Sequence, residues 1–409
     1  MIKRILHKNL YHQHSWRELA FDELNQIYAA MLVRGLSISM VGLFVPVFMT
    51  RLGYNITQVL IVIVSYFTVR IFFDVIASYL VAWFGPKHTM IFGQILFAIS
   101  SAQFLTLNRI VWPLWLLGFV WGASQSCFYV PFDVNFSKIR HSKHGGKELG
   151  YVEIMGKIGA IFGPLLGGVI SIVFGSRYIF AVSTVLLVGG LLPMLKTPEP
   201  TNVKVRPNYK NFDASKIVPH LPSFIGMGLE MTLTSMLWPL YMSIFVLPDS
   251  NVFIKIGILS SVSAVITIII AKKIGHLVDE GYGGTMLKIG AYINAVLYIG
   301  RAFIGSYLLA FTANLTSEVA TLTHRLPFMK AYYDHVDASK SERIVFVSVI
   351  TTISSVTKAV IYSMLLMLST VTTGRLFFVV ASAIAAGASV LVTLEKFKHT
   401  RRSGKKGLI

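Results

Sequence analysis

A succession of long apolar stretches restricts this chain more than any other feature. Twelve segments of spanning length run at roughly 26–49, 57–83, 88–107, 110–136, 150–173, 177–196, 223–247, 253–274, 285–300, 302–330, 344–369 and 374–395, the ninth being the shortest. About 20 apolar residues cross the hydrocarbon as a helix, and in lipid every backbone polar group must be satisfied within the segment. Such a chain folds as a bundle of transmembrane helices. Composition agrees, because 54% of the 409 residues are hydrophobic and 13% charged, too apolar for a soluble protein of this length. The expected class is all-α and polytopic, with twelve transmembrane helices.

A net charge of +19 would suit a nucleic-acid binder, but the basic residues fall in short clusters between apolar segments. Nucleic-acid surfaces instead gather them into one patch interleaved with stacking aromatics. The charge therefore reads as topology. With the N-terminus in the cytoplasm, the clusters around Lys87, Lys138–Lys147, Lys196–Lys216, Lys272–Lys288, Lys330–Arg343 and Lys396–Lys406 share its side. The opposite loops carry about one cation each: Arg51, Arg109, Arg177, Lys255, Arg301 and Arg375. This bias places both termini in the cytoplasm and the spans in the cell membrane. No cleavable signal peptide is read, since the first strong apolar run begins near Ile27 and continues to spanning length. Cys127 is the one cysteine, in an apolar segment, and reads as a small buried hydrophobe.

The organisation divides into a tail at 1–24, a six-helix bundle at 25–196, a linker at 197–220, a second six-helix bundle at 221–396 and a basic tail at 397–409. In the tail, Ser15-Trp-Arg-Glu18 has capping-box spacing and suggests a short surface helix. Pro198, Pro200 and Pro207 mark the linker. The two halves read as repeats. Leu43-Phe-Val-Pro46-Val-Phe-Met49-Thr50 aligns with Met236-Leu-Trp-Pro239-Leu-Tyr-Met242-Ser243, Leu80-Val81-Ala82 with Leu277-Val278-Asp279, and Pro131-Phe132 with Pro327-Phe328. A parallel duplication of six helices about an axis normal to the membrane gives two pseudo-symmetric bundles, an arrangement secondary transporters rock about a midplane site.

Gly159-Ala-Ile-Phe-Gly163-Pro164-Leu-Leu-Gly167-Gly168 in the fifth segment sets glycines at i, i+4 and i+8 on one helix face. Glycine there admits another backbone, and Pro164 frees a carbonyl and bends the helix. The expected role is a hinge and sealing surface. This motif resembles the fifth-helix glycine-proline motif of the major facilitator superfamily. The loop Lys273-Ile-Gly275-His-Leu277-Val278-Asp279 is similar to that family's loop motif, with Glu280 where a basic residue usually follows. The first copy, Leu80-Val-Ala82-Trp-Phe-Gly85-Pro-Lys87, has Ala82 in place of the aspartate, and Leu114–Gly122 lacks the fourth-helix arginine common in proton-coupled members. The resemblance, over about Asn25 to Lys396, implies a twelve-helix fold and alternating access. It also implies a central cavity lined by spans 1, 4, 7 and 10, with spans 2, 5, 8 and 11 at the contact between halves, where Gly275 and Asp279 join the gating residues.

Charge near the bilayer centre costs at least ~3 kcal/mol on insertion scales, so each such residue needs a partner, a watery cavity or a function. Arg70 and Asp74 lie at i, i+4 in span 2 and read as a gating pair or a self-neutralised structural one. In span 10, Asn314, Ser317, Glu318, Thr321, His324 and Arg325 form a polar stripe within a sector of roughly 120°. Glu318 there is a candidate for binding a proton or a cationic group, with His324 titrating near neutrality. Glu230 in span 7 and Lys358 in span 11 lack partners in their own helices, so Lys358 is expected to pair across helices with Asp74, Glu318 or Glu230. Gln125 and Tyr129 in span 4 are polar handles deep enough to touch a ligand. Arg34, two turns from the cytoplasmic end of span 1, is expected to snorkel to lipid phosphate.

No Gly-Lys-Ser/Thr phosphate loop occurs, and no histidine pair has the spacing of a helix-borne metal site, so neither ATP nor a cofactor or metal is expected. The reading is a monomeric secondary active transporter of a small molecule. Buried carboxylates make protons the expected coupling ion, and direction stays open with the fifth-helix motif leaning toward export. The alternative is a lipid-handling protein or membrane enzyme, which requires a lateral opening and an acid/base or metal cluster near one interface.

Overall fold

The computed structural model describes residues 17–139, 145–195, 207–210, 212–248, 251–338, 342–372 and 374–395. Ser15, residues 197–206 and 211 of the linker and the basic tail lie outside them. Twelve long helices follow in order: α1 Arg17–Arg51, α2 Ile56–Phe84, α3 Pro86–Thr106, α4 Leu114–Ile139, α5 Gly145–Val173, α6 Tyr178–Gly189, α7 Leu221–Tyr241, α8 Val252–Leu277, α9 Gly283–Arg301, α10 Tyr307–Ala338, α11 Arg343–Val371 and α12 Arg375–Val392. Residues 17–24, expected as a separate surface helix, are the first turns of α1, since nothing between Glu18 and Ile27 breaks a helix. Among the described residues no strand occurs.

Among the described residues, seven helices are long and apolar enough to cross a membrane: α1 from Met31, α2, α3, α7, α8, α11 and α12. Shorter apolar runs occupy Ile158–Val173 and Tyr178–Gly189. Polar residues dilute α4, with Gln125, three serines and an asparagine, and α10, with its polar stripe.

Local chemistry explains the turns. Asn55 caps α2, its Oδ1 accepting from Gln58 N at 2.9 Å while Asn55 N donates to Gln58 Oε1 at 2.9 Å, a reciprocal capping box. Gly85 turns the chain from α2 into α3 at φ 86°, a left-handed conformation open to glycine, and Pro86 starts α3 where no amide hydrogen is needed.

Before the linker, α1 packs on α5 and α6, α2 on α4, and α3 on α4 and α6; after it, α7 packs on α12, α8 on α10, and α9 on α10 and α12. The two sets meet mainly through α2 against α11 and α5 against α8, with thinner contacts of α1 with α7 and α4 with α10. Aromatic packing fills the first set: the Phe48 and Phe180 ring centres are 4.8 Å apart, and those of Phe104 and Phe180 are 5.6 Å apart.

Polar ties cross between the sets at both ends of the bundle. At the linker end, Asp133 of α4 accepts from Tyr332 (3.3 Å) and Tyr333 (3.1 Å) of α10. Tyr209 of the linker lies with its hydroxyl 2.6 Å from Ser78 Oγ on α2 and 2.8 Å from Ser348 Oγ on α11. At the far end, Arg51 donates to the carbonyls of Leu247 and Pro248 at 3.2 and 3.1 Å, and Thr57 and Ser369 hydroxyls meet at 3.1 Å.

Candidate functional site

Between these two layers of ties lies a cavity of about 390 Å³, walled by α1, α2, α3, α4, α5, α7, α8, α9 and α10. This volume is that of a small-molecule site. One side is largely apolar and aromatic, with Leu43, Phe97, Trp121 and Tyr66, relieved by Ser39 and Gln125. The other carries the charge: Glu230 on α7, and Glu318 and Arg325 on α10, with Asn314, Ser317 and Thr321 beside them. The asymmetry follows from the sequence, since the α10 stripe projects to one face at helical spacing.

Glu230 is 1% exposed and is the most constrained group in this wall. Its Oε1 accepts from Asn294 Nδ2 at 3.0 Å and from the Tyr298 hydroxyl at 2.8 Å. Asn294 is itself oriented, donating to Thr321 Oγ1 at 2.8 Å and accepting from Ser317 Oγ at 2.9 Å. The other oxygen, Oε2, lies 3.1 Å from Nε2 of His324. His324 Nδ1 sits 2.9 Å from the Ala320 carbonyl, which only accepts, so Nδ1 carries a hydrogen. Neither His324 Nε2 nor Glu230 Oε2 has a hydrogen-bond partner elsewhere among the described residues. A proton held between them satisfies both, whether written as imidazolium and carboxylate or as imidazole and carboxylic acid. Two fully buried lone pairs facing each other without it would repel.

The sequence pattern of the Major Facilitator Superfamily matches residues 27–329. The chain belongs to the Major Facilitator Superfamily. It is therefore a transporter-family membrane protein with several membrane-crossing helices. Its fold is that of solved transporters of the superfamily. A POT family transporter in complex with a thioalcohol-conjugated peptide superimposes with a TM-score of 0.69 at 10% identity, covering 91% of this chain and 94% of the other. A mutant of the peptide transporter POT gives 0.68 at 11% identity, over 91% and 93%. A POT family transporter bound to 5-aminolevulinic acid gives 0.69 at 10%, over 91% and 94%. No curated protein sequence matches the chain.

Within this superfamily fold, the residues singled out from the sequence separate into three places. Glu230, Glu318, Thr321, Arg325, Gln125 and Pro164 line the cavity, and His324 stands directly behind Glu230. Asp74 lies between the halves instead: Oδ1 accepts from Ser126 of α4 at 2.5 Å, Oδ2 from Ser355 of α11 at 2.8 Å, and its carbonyl from Ser348 at 3.1 Å. Arg70 Nη2 is 3.8 Å from Asp74 Oδ1, a loose pair beside this tighter hub. Gly275 has open space around it, and the Asp279 side chain lies outside the described residues.

The glycine-proline motif of α5 works on two partners. A Cβ on Gly159 would stand 2.5 Å from the Gly35 backbone, and one on Gly163 2.8 Å from the Leu36 carbonyl, both on α1 of the same half. Gly167 packs against the Phe44 ring, also on α1, whereas Gly168 abuts Ile254 of α8. Carbonyls around the proline are taken up from both sides: Gly159 O accepts from Ser39 at 2.7 Å and Ile161 O from Ser261 of α8.

Two expectations are corrected. Arg34 does not snorkel; it is 1% exposed, its guanidinium 3.8 Å from the Phe128 ring centre and 5.1 Å from that of Phe97, with Nη1 donating to Gln94 Oε1 at 3.0 Å. Gln94 and Phe97 of α3 and Phe128 and Tyr129 of α4 surround the guanidinium, so the side chain meets aromatic faces before it can reach lipid. Lys358 makes no ion pair with Asp74, Glu318 or Glu230 among the described residues; its Nζ lies 5.6 Å from the Phe67 ring centre, and the Asp74 oxygens are taken by serines. Lys358 and Tyr129 are both off the cavity wall; Tyr129 flanks Arg34 at 5.4 Å. Asn294 and Tyr298, central to the Glu230 cluster, were missed by sequence reasoning. An asparagine inside the shortest span was the available signal.

Proposed function

We propose that this chain is a proton-coupled secondary active transporter that moves a small amphipathic molecule by alternating access, its twelve helices arranged as two pseudo-symmetric bundles with both termini cytoplasmic. The apolar body of the substrate lies against Trp121, Tyr66 and Leu43, and its polar head against Glu318 and Arg325. The observation that carries the coupling is the 3.1 Å approach of His324 Nε2 to Glu230 Oε2 behind the cavity wall, a buried contact that one proton would satisfy. Glu230 is on α7 and His324 on α10, so losing that proton turns an attraction between two helices into a repulsion. Proton occupancy is thereby tied to the spacing of helices that border the cavity. Gly168 against Ile254 and Gly257 against the Pro164 carbonyl supply the close α5–α8 surface along which the halves rock.

Proteoliposomes with an internal pH dye test this. Dipeptides and amphipathic amines, added from outside, are expected to evoke a pH change in the wild type that Glu230→Gln abolishes while unlabelled-for-labelled exchange persists. Equal proton movement in Glu230→Gln would exclude the pair as the coupling site.

A further inference from the structure

Far from the cavity, at the linker end, three side chains from distant parts of the chain converge. His220 ends the linker immediately before α7, His335 lies in the last turn of α10, and Glu395 follows α12. One donor atom from each falls within 4.8 Å of the other two. His220 Nδ1 is 2.7 Å and His335 Nε2 3.5 Å from the same oxygen, Glu395 Oε1.

We infer that His220, His335 and Glu395 form a binding site for a divalent transition metal of the zinc class. Two imidazoles and a carboxylate are the donor set zinc takes when a fourth position is left to water, and imidazole selects first-row transition metals over magnesium or calcium. The donor separations fit: ligands at about 2.0–2.2 Å from a tetrahedral ion stand roughly 3.3 Å apart, so small side-chain rotations close the site.

Several features favour an ion over a simple hydrogen-bonded cluster. The imidazole centres are 4.1 Å apart and each ring presents a nitrogen to the same carboxylate oxygen. Glu395 is buried, its side chain 1% exposed, while the histidines keep 12% and 15%, which leaves an approach from solution. Ser223 donates to the second carboxylate oxygen, Oε2, and so orients the group. Phe224 backs His220 with ring centres 6.3 Å apart and packs on Tyr332 at 5.8 Å, a rigid apolar support of the kind that holds ligands in place. A bound ion fastens the end of the linker to α10 and α12.

Equilibrium dialysis of the purified full-length protein against zinc chloride tests the site, after stripping with a chelator. One tight ion per chain is expected in the wild type. His335→Ala and Glu395→Gln are expected to weaken it at least tenfold, with His335→Gln as the substitute should His335→Ala fail to elute as a folded species. The exposed His276 and Glu280, 3.6 Å apart where α8 ends, are the rival pair. Loss of the tight ion in His276→Ala but not in the His335 variants would overturn the assignment. Zinc X-ray absorption of the loaded wild type is expected to show a nitrogen/oxygen shell near 2.0–2.1 Å with imidazole scattering; a spectrum lacking imidazole scattering would also overturn it.

Discussion

Single residues here are held by chemistry that their own helices do not supply. Asn294 bridges Glu230, Thr321 and Ser317, so Asn294→Leu strands buried oxygens on two other helices. That variant is expected to lose about 1–3 kcal/mol, read as a lower thermal midpoint in detergent. An unchanged midpoint would show that the cluster does not stabilise the fold. Tyr209 presents a second case. Burial pushes its hydroxyl pKa up, outweighing the hydrogen bonds of Ser348 and Ser78. A raised folded-state value contributes stability that is fully present below the unfolded tyrosine value of about 10 and is lost as pH rises past it. Alkaline unfolding is therefore expected to begin at a higher pH in Tyr209→Phe than in the wild type. Coincident alkaline limbs would remove Tyr209 from the balance.

At the scale of helices, α5 shows why one motif needs two readings. Its face of glycines at 159, 163 and 167 lies on α1 of the same half, while Gly168 and the Pro164 carbonyl touch α8 of the other. A bulky side chain at Gly163 would be driven into the Leu36 carbonyl and Ser39. Gly163→Leu is thus expected to destabilise the α1–α5 pair by 1–3 kcal/mol or more, beyond any effect on transport. Gly257→Ala acts across the halves, since its Cβ would meet the Pro164 carbonyl at 2.4 Å. Spin labels on α5 and α8 should report a wider separation in that variant with little change in thermal midpoint. The reverse pattern, a stable Gly163→Leu and a collapsed Gly257→Ala, would invert the two roles.

For the whole molecule, the ties at the two ends set which way the cavity can open. At the far end the Thr57–Ser369 hydroxyl contact, worth about 1 kcal/mol, adds to the two bonds from Arg51 to the Leu247 and Pro248 carbonyls, whereas Asp133 and Tyr209 fasten the linker end with two bonds each. Thr57→Ala is expected to shift the population toward far-end opening by roughly fivefold, measured by cysteine accessibility of residues introduced along α2 and α11. Accessibility that rises at the linker end instead would reverse this assignment. The all-helical architecture, the helix order and the superfamily were legible beforehand because lipid demands apolar length and because the glycine-proline motif of α5 is local. The cavity stripe of α10 was legible for the same reason: helical spacing alone puts Glu318, Thr321 and Arg325 on one face. Pairings were not. Arg34 looked able to reach lipid until α3 and α4 closed around it, and Lys358 looked ready for a carboxylate whose oxygens serines already occupy. Glu230 with His324, 94 positions apart, and His220 with Glu395, 175 apart, carry no spacing signal at all. The sequence by itself determined which segments must be helices and which helix faces are polar, since both follow from the periodicity of one helix and the dielectric of the bilayer. Only the tertiary structure decided which polar face meets which, because partner choice depends on the rotation and depth of separate helices packed side by side.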